Sequence, residues 1–172
     1  ALGIMVALLE RETSGEGQWV QTSLLQSQIA MNDFQAARYL MSGEIPKQAG
    51  NDHPTSMPTS VYKTIDGHIN IAASGDGSWK RLCKAIDRDD LFNDPRFDSE
   101  ANRSENRVAL NEEINRASRQ FTSANLVAKL NAAGVPCGPI YSMDEVFADP
   151  QVEHLQCAAT VAHPKLGEIK LV

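Results

Sequence analysis

Between Glu44 and Pro58 the sequence reads "EIPKQAGNDHPTSMP", a polar stretch carrying three prolines, Pro46, Pro54 and Pro58. Proline fixes its own φ and has no amide proton, so this spacing excludes both a continuous helix and a central strand. The stretch reads as a linker or extended loop, and a domain boundary is expected within it. What lies on either side must form its structure without a regular element passing through.

The segment before the linker is helical in pattern. "ALGIMVALLERE" is apolar on nearly every side until Glu10, as in a helix buried on most faces, and "TSGEG" ends it. In "WVQTSLLQSQIAMNDFQAARYLMSG", Ser23 and Gln26 fit a capping box, and Leu25, Ile29 and Phe34 keep helical spacing up to Gly43. No strand pattern accompanies these helices.

Beyond the linker the pattern changes. "SVYKTIDGHINIAA" has two short alternating runs around Asp66-Gly67, a hairpin signal in which Asp66 serves the turn. Ser78 is placed to cap a helix whose inward face carries Trp79, Leu82, Cys83 and Ile86. Asp94-Pro95 offers a further helix start. A long helix is expected from Ser104 to about Phe121, with Leu110, Ile114, Ala117 and Phe121 on one face. Another follows from Thr122, with Leu126, Val127 and Leu130 inward, and stops at Gly134. Val135 must then be extended, because it precedes Pro136. Ser142 with Glu145 forms a capping box, Asp149-Pro150 opens a short helix, and "TVAHPKLGEIKLV" closes as a hairpin with Ile169 and Leu171 alternating. The fold class is α+β, helices with short antiparallel strands, preceded by a helical arm. The expected organisation is an arm over 1–43, a linker over 44–58, a small domain over 59–156 and a return hairpin over 157–172.

Composition narrows the function classes. A net charge of -6 over 172 residues, with scattered basic side chains, argues against a nucleic-acid groove. The apolar run "GIMVALL" is too short to span a bilayer, and no signal-peptide pattern surrounds it, so neither membrane nor secretion is expected. Cys83, Cys137 and Cys157 are odd in number and lack ligand spacing, so no disulfide framework or metal site is expected and a reducing cytoplasm is the default. The chain opens on Ala1 rather than methionine, which suggests a processed chain or a piece of something longer.

No motif completes a catalytic constellation. Cys137 sits in "AGVPCGPI" between two prolines and two glycines. A nucleophilic cysteine needs a base and an orienting group, and none of His53, His68, His154 and His163 stands in a protease-like context. Its expected role is architectural. "ASGDGSW" contains a GxG but not the dinucleotide fingerprint; it reads as a strand-to-helix loop in which Gly75 and Gly77 would let a ligand approach.

Several phrases, taken in order, resemble the family III CoA-transferases (the CaiB/BaiF group). They are "GIMVALLERETSGEGQWVQTSLLQSQIA", "GNDHP", "MPTSVYKTIDGHINIAA", "WKRLCKAI", "DLFNDPRF", the Asn106-Arg107 pair in "SENRVALNEEI", "LNAAGVPCGPIYSMDEVFADPQV" and "HPKLGEI". That family includes carnitine and formyl-CoA transferases and alpha-methylacyl-CoA racemase. The resemblance implies a large α/β domain with a parallel sheet, a smaller α+β domain, and two chains interlinked as rings. On that reading this chain holds the last helices of the large domain, the linker, the small domain and the start of the return strand. The resemblance also implies an aspartate nucleophile that forms anhydride and CoA-thioester intermediates, upstream of the position equivalent to Ala1. No catalytic residue therefore carries over. A glycine-rich loop that shields the thioester is matched only by "QAGNDHP", where Gly50 is the single glycine. The implied substrates are an acyl-CoA and a carboxylic acid, with no further cofactor, and the implied assembly is a homodimer. A CoA-ester racemase or epimerase, or a non-catalytic binding module on the same scaffold, would share these features.

Overall fold

The computed structural model describes residues 1–172, which divide into two compact units, Ala1–Gln48 and Ala49–Val172. The division falls inside the proline-rich stretch.

The first unit is all helix: α1 (Leu2–Ser14), α2 (Leu24–Met31) and α3 (Asp33–Ser42). Gly15 and Gly43 stop α1 and α3 in the left-handed conformation, where glycine has no Cβ to clash. Ser23 accepts the amide of Gln26, as expected of a cap. The single helix expected through Phe34 is two, because the chain breaks at Asn32 and Asp33 adopts φ 45°. Short polar side chains tolerate that conformation and compete with the helix backbone, which is why the break falls there. None of the three helices contains a buried residue.

The second unit opens with β1 (Thr59–Lys63) and β2 (His68–Ala72), which pair antiparallel with Lys63 opposite His68. That register is not the expected two-residue turn at Asp66-Gly67. The reversal covers Thr64–Gly67, and the Thr64 amide donates to the Gly67 carbonyl at 2.9 Å. Asp66 stays within this turn, and its side chain accepts from both the amide and the hydroxyl of Ser123, at 2.8 and 3.0 Å.

Next come α4 (Asp76–Ala85), α5 (Asp89–Phe92), α6 (Glu100–Glu105), α7 (Arg107–Ser118) and α8 (Ser123–Ala132). α4 begins before the expected cap: Gly75 at φ 80° takes that place, and Ser78 instead accepts from Arg81. Asp94-Pro95 starts no helix. Asp94 closes a turn by accepting the Arg96 amide and pairing with its guanidinium, and Ser99 caps α6 instead. The long helix expected from Ser104 is likewise two, interrupted at Asn106, whose side chain bonds back to the carbonyls of Arg96 and Asn102. Thr122 caps α8 and Gly134 ends it at φ 68°, as the sequence implies.

The chain then enters β3 (Cys137–Pro139), which pairs antiparallel with β2, so the sheet order is β1-β2-β3. α9 (Met143–Ala148) carries the expected capping box of Ser142 and Glu145, and α10 (Pro150–His154) starts on Asp149. β4 (Ala159–His163) and β5 (Gly167–Leu171) form a separate hairpin. The mixed α+β class is as expected.

Every buried hydrophobic side chain lies between Met57 and Val135. Trp79, Leu82, Cys83 and Ile86 on α4, Leu110, Ile114 and Ala117 on α7, and Leu126 and Leu130 on α8 close over Tyr62, Ile69 and Ile71 from the sheet. The outer edge of β1 is not left open. Asn115 accepts the Lys63 amide, Ser118 donates to the Lys63 carbonyl, and the Ile65 amide donates to Phe121. Side chains of α7 thus take the part of a missing neighbour strand.

Candidate functional site

Of the three glycines singled out from the sequence, Gly50 lies in the loop before β1, Gly75 caps α4 and Gly77 lies within it. Gly50 lies in a tight turn, where the Asp52 amide donates to the Ala49 carbonyl, and its φ is 63°. A Cβ on Gly50 or on Gly75 would meet no atom within 4 Å, so both backbones face open space. Gly77 lies inside the first turn of α4, where a Cβ would touch only the Arg81 guanidinium at 3.6 Å.

Arg103, which sequence reasoning missed, ties the loop before β1 to the start of α4. Its side chain is fully buried, and donates to the Met57 carbonyl at 3.4 Å, the Phe97 carbonyl at 3.1 Å and the Asp76 carboxylate at 2.8 Å. Met57 ends that loop and Asp76 opens α4 beside Gly75. Close by, the Pro58 carbonyl accepts the Ala73 amide. A buried guanidinium persists only when its donors are met, and here two carbonyls and one carboxylate meet them. The signal was present as a repeated Asn-Arg pair, Asn102-Arg103 and Asn106-Arg107. The break at Asn106 separates the two arginines, Arg103 ending up on α6 and Arg107 at the start of α7.

The loop from Ala49 to Pro58 is firmly held. The His53 amide donates to the Thr59 carbonyl, and His53 Nδ1 accepts the amides of Thr55 and Ser56. Arg107 donates to the Pro54 carbonyl at 2.9 Å, and Asn111 to the Asp52 carboxylate at 2.9 Å.

Cys137 is half-buried at the start of β3. Its thiol points to the Asn131 side-chain oxygen at 3.5 Å and the Val127 carbonyl at 3.8 Å, and no histidine is among its partners. Burial pushes its pKa up, which disfavours the thiolate a nucleophile needs. Cys83, in the core, is pushed up to about 12, chiefly by burial. His163 Nδ1 accepts the amides of Lys165 and Leu166, so His53 and His163 do the same turn-closing work before their prolines. No three His, Cys, Asp or Glu side chains converge, and no helix is long and apolar enough to cross a membrane.

Apart from a concavity of about 360 Å³ lined by Glu112, Asn115, Arg116 and Arg119, two others lie elsewhere in the second unit. One, of about 520 Å³, is lined by Phe147, Val152 and Gln156 against Lys170 and Leu171. The other, of about 350 Å³, lies between Asp66, His68 and Ser123 on one side and Tyr141 and Glu145 on the other. In the latter, the Ser123 hydroxyl is bonded to Thr64 and Asp66 and not to His68, so no serine is paired with a histidine base there.

The loop before β1 and the start of α4 are thus joined through a buried arginine, with Gly50 and Gly75 open to space. The model of CoA-transferase family III matches residues 1–172, and the chain belongs to that family. It is 34% identical over 168 residues to the succinyl-CoA:mesaconate CoA-transferase of Haloarcula hispanica, covering 98% of this chain and 42% of that protein. It is 30% identical over 168 residues to the human succinyl-CoA:glutarate CoA-transferase, covering 98% of this chain and 38% of that one. The crystal structure of a CaiB/BaiF family protein from Brucella suis superposes with a TM-score of 0.78 at 30% identity, over 98% of this chain and 47% of that one. The chain therefore spans less than half the length of the relatives it matches.

Proposed function

We propose that this chain is the small-domain part, with a helical arm, of an enzyme that moves CoA between carboxylic acids. The observation that carries the reading is a family match across all 172 residues in a chain whose own side chains assemble no reacting constellation. The chemistry is then a carboxylate exchange at an aspartate outside this chain. The aspartate attacks the acyl-CoA carbonyl and expels CoA thiolate, leaving a mixed anhydride. The thiolate attacks the aspartyl carbonyl, releasing the first acid and forming an aspartyl thioester. The acceptor acid repeats the two steps in reverse and leaves as its CoA ester. Succinyl-CoA as donor and a dicarboxylic acid as acceptor are the substrate classes favoured by the named relatives. Gly50, Gly75 and Gly77 are the positions at which this chain would approach the acyl-CoA, since glycine lets a backbone come close to a ligand. A homodimer working in the cytoplasm completes the reading.

The test compares the chain alone with an enzyme that contains it, using succinyl-CoA and mesaconate or glutarate. Turnover and a covalent CoA adduct by intact mass are expected only in the second. An adduct on the isolated chain, or no turnover with any acyl-CoA donor in the second, would contradict the proposal. Gly77→Ala is the cleanest probe of the glycines, because Arg81 tolerates the added methyl and alanine is the better helix former. A raised KM for acyl-CoA with an unchanged fold is expected; an unchanged KM would remove Gly77 from the site.

A further inference from the structure

The Gly50 turn is joined to the middle of the core by a chain of hydrogen bonds. Tyr62 on β1 is fully buried, and its hydroxyl donates to Asn111 Oδ1 at 2.8 Å. Asn111 Nδ2 donates in turn to Asp52 Oδ1 at 2.9 Å. The order of the chain is fixed chemically: an ionised carboxylate only accepts, so the amide nitrogen must face Asp52 and its oxygen must face the phenol. Asp52 is two residues from Gly50 and closes the same turn through its amide. Burial and the nearby Asp52 charge both raise the Tyr62 pKa, so the phenol stays a donor. Arg107, one helical turn before Asn111 on α7, holds the next part of the loop through the Pro54 carbonyl.

We propose that Asn111 is a positioning residue: it transmits the placement of the sheet, through Tyr62, to the turn that presents Gly50 to substrate. The proposal rests on the reading that the 49–56 loop faces acyl-CoA. It goes beyond that reading in naming what sets the loop's geometry. An asparagine suits this place because it both accepts and donates within one side chain; an isosteric carboxylate loses the donor and faces Asp52 with a like charge.

That asymmetry supplies the test. In Asn111→Asp, amides 49–56 should exchange with solvent about tenfold faster while those of β2 keep their rates, since one local tether is lost. Asp52→Ala, at a partly exposed loop position, should do the same even if Asn111→Asp folds poorly. The double variant Asn111→Asp with Asp52→Asn rebuilds the chain with reversed polarity. Its carboxylate, now on α7, accepts from both the Tyr62 phenol and the side-chain amide introduced in the loop, and slow exchange should return. In an enzyme that contains the chain, Asn111→Asp should raise KM for acyl-CoA about tenfold with kcat within about threefold, and the double variant should recover it. Unchanged exchange in the single variants, or no recovery in the double, overturns the tether. Exchange that rises and recovers while KM stays fixed overturns the positioning role and leaves the CoA-transfer reading standing. Intact exchange behaviour in an enzyme without any turnover shows instead that the CoA-transfer reading failed, and the role toward substrate falls with it.

Discussion

Residues 57–135 and residues 1–48 use the same kinds of apolar side chain to opposite ends. In the first region leucines and isoleucines are buried to completion: Leu82, Leu110, Ile114, Leu126 and Leu130 expose nothing. In the second, Leu2 is 79% exposed, Leu24 92% and Met41 88%. Helices form in both, with glycine stops at Gly15, Gly43 and Gly134 and caps at Ser23 and Thr122 where the sequence places them. The difference lies in tertiary closure. A helix is held in a protein mainly by what its apolar face packs against, and α1–α3 bury no residue. One region is a finished core and the other is a surface that awaits one.

The largest expected effect comes from breaking the finished region at its charged centre. Arg103→Ala leaves the Met57 and Phe97 carbonyls without this donor and opens a cavity beside Trp79, at a cost of about 3–5 kcal/mol of unfolding free energy. Denaturant titration of the variant checks it. Leu130→Ala should lose about 3 kcal/mol, whereas Leu9→Ala on α1 should change the stability of an unassociated chain by less than about 0.5 kcal/mol. Equal losses at Leu130 and Leu9 would erase the contrast between the regions.

Much of this was legible beforehand. The period-3.6 stripes of α4, α7 and α8 and the alternation in β1 and β2 are strong local signals and named most of the core. Phe121 and Val127, however, are only partly buried, and α1, read as buried on most faces, buries nothing. The errors fall where polar side chains bond across the fold. The Asp66 side chain bonds to Ser123, Asn106 interrupts a helix that the apolar stripe would carry through, and Arg103 is buried by acceptors at Met57, Asp76 and Phe97. Ser123, Met57 and Asp76 are far off in sequence, whereas Asn102 and Phe97 are close by and were missed because no apolar pattern marks such bonds. The candidate site was legible only as glycines; the Tyr62–Asn111–Asp52 tether, spanning three segments, was not.

Smaller effects sharpen the reading of individual positions. Cys137→Ala should cost about 1 kcal/mol or less, since the thiol is half-buried with two weak contacts, and in an enzyme that contains this chain it should leave turnover unchanged. Loss of activity in a folded variant would return Cys137 to the chemistry. At Asp66, hydrogen bonds from Ser123 hold the carboxylate below its usual pKa. A folded-state pKa depressed in this way adds stability that is complete above about pH 4 and disappears as pH falls through the lowered value. The stability difference between wild type and Asp66→Asn, read from thermal unfolding across pH, should therefore be constant near neutrality and shrink in acid. A difference that grew in acid would contradict the sign.

The contrast between the two regions is tested most directly by light scattering on the whole chain and on one that begins at Ala49. The exposed apolar faces of α1–α3 form the kind of patch that association covers, and a closed dimer is the commonest symmetric arrangement. The expected result is a dimer or larger species for the whole chain and a cooperatively folding monomer for residues 49–172. Two monomers, with the amides of α1–α3 as slow to exchange as those of α7 and α8, would contradict it.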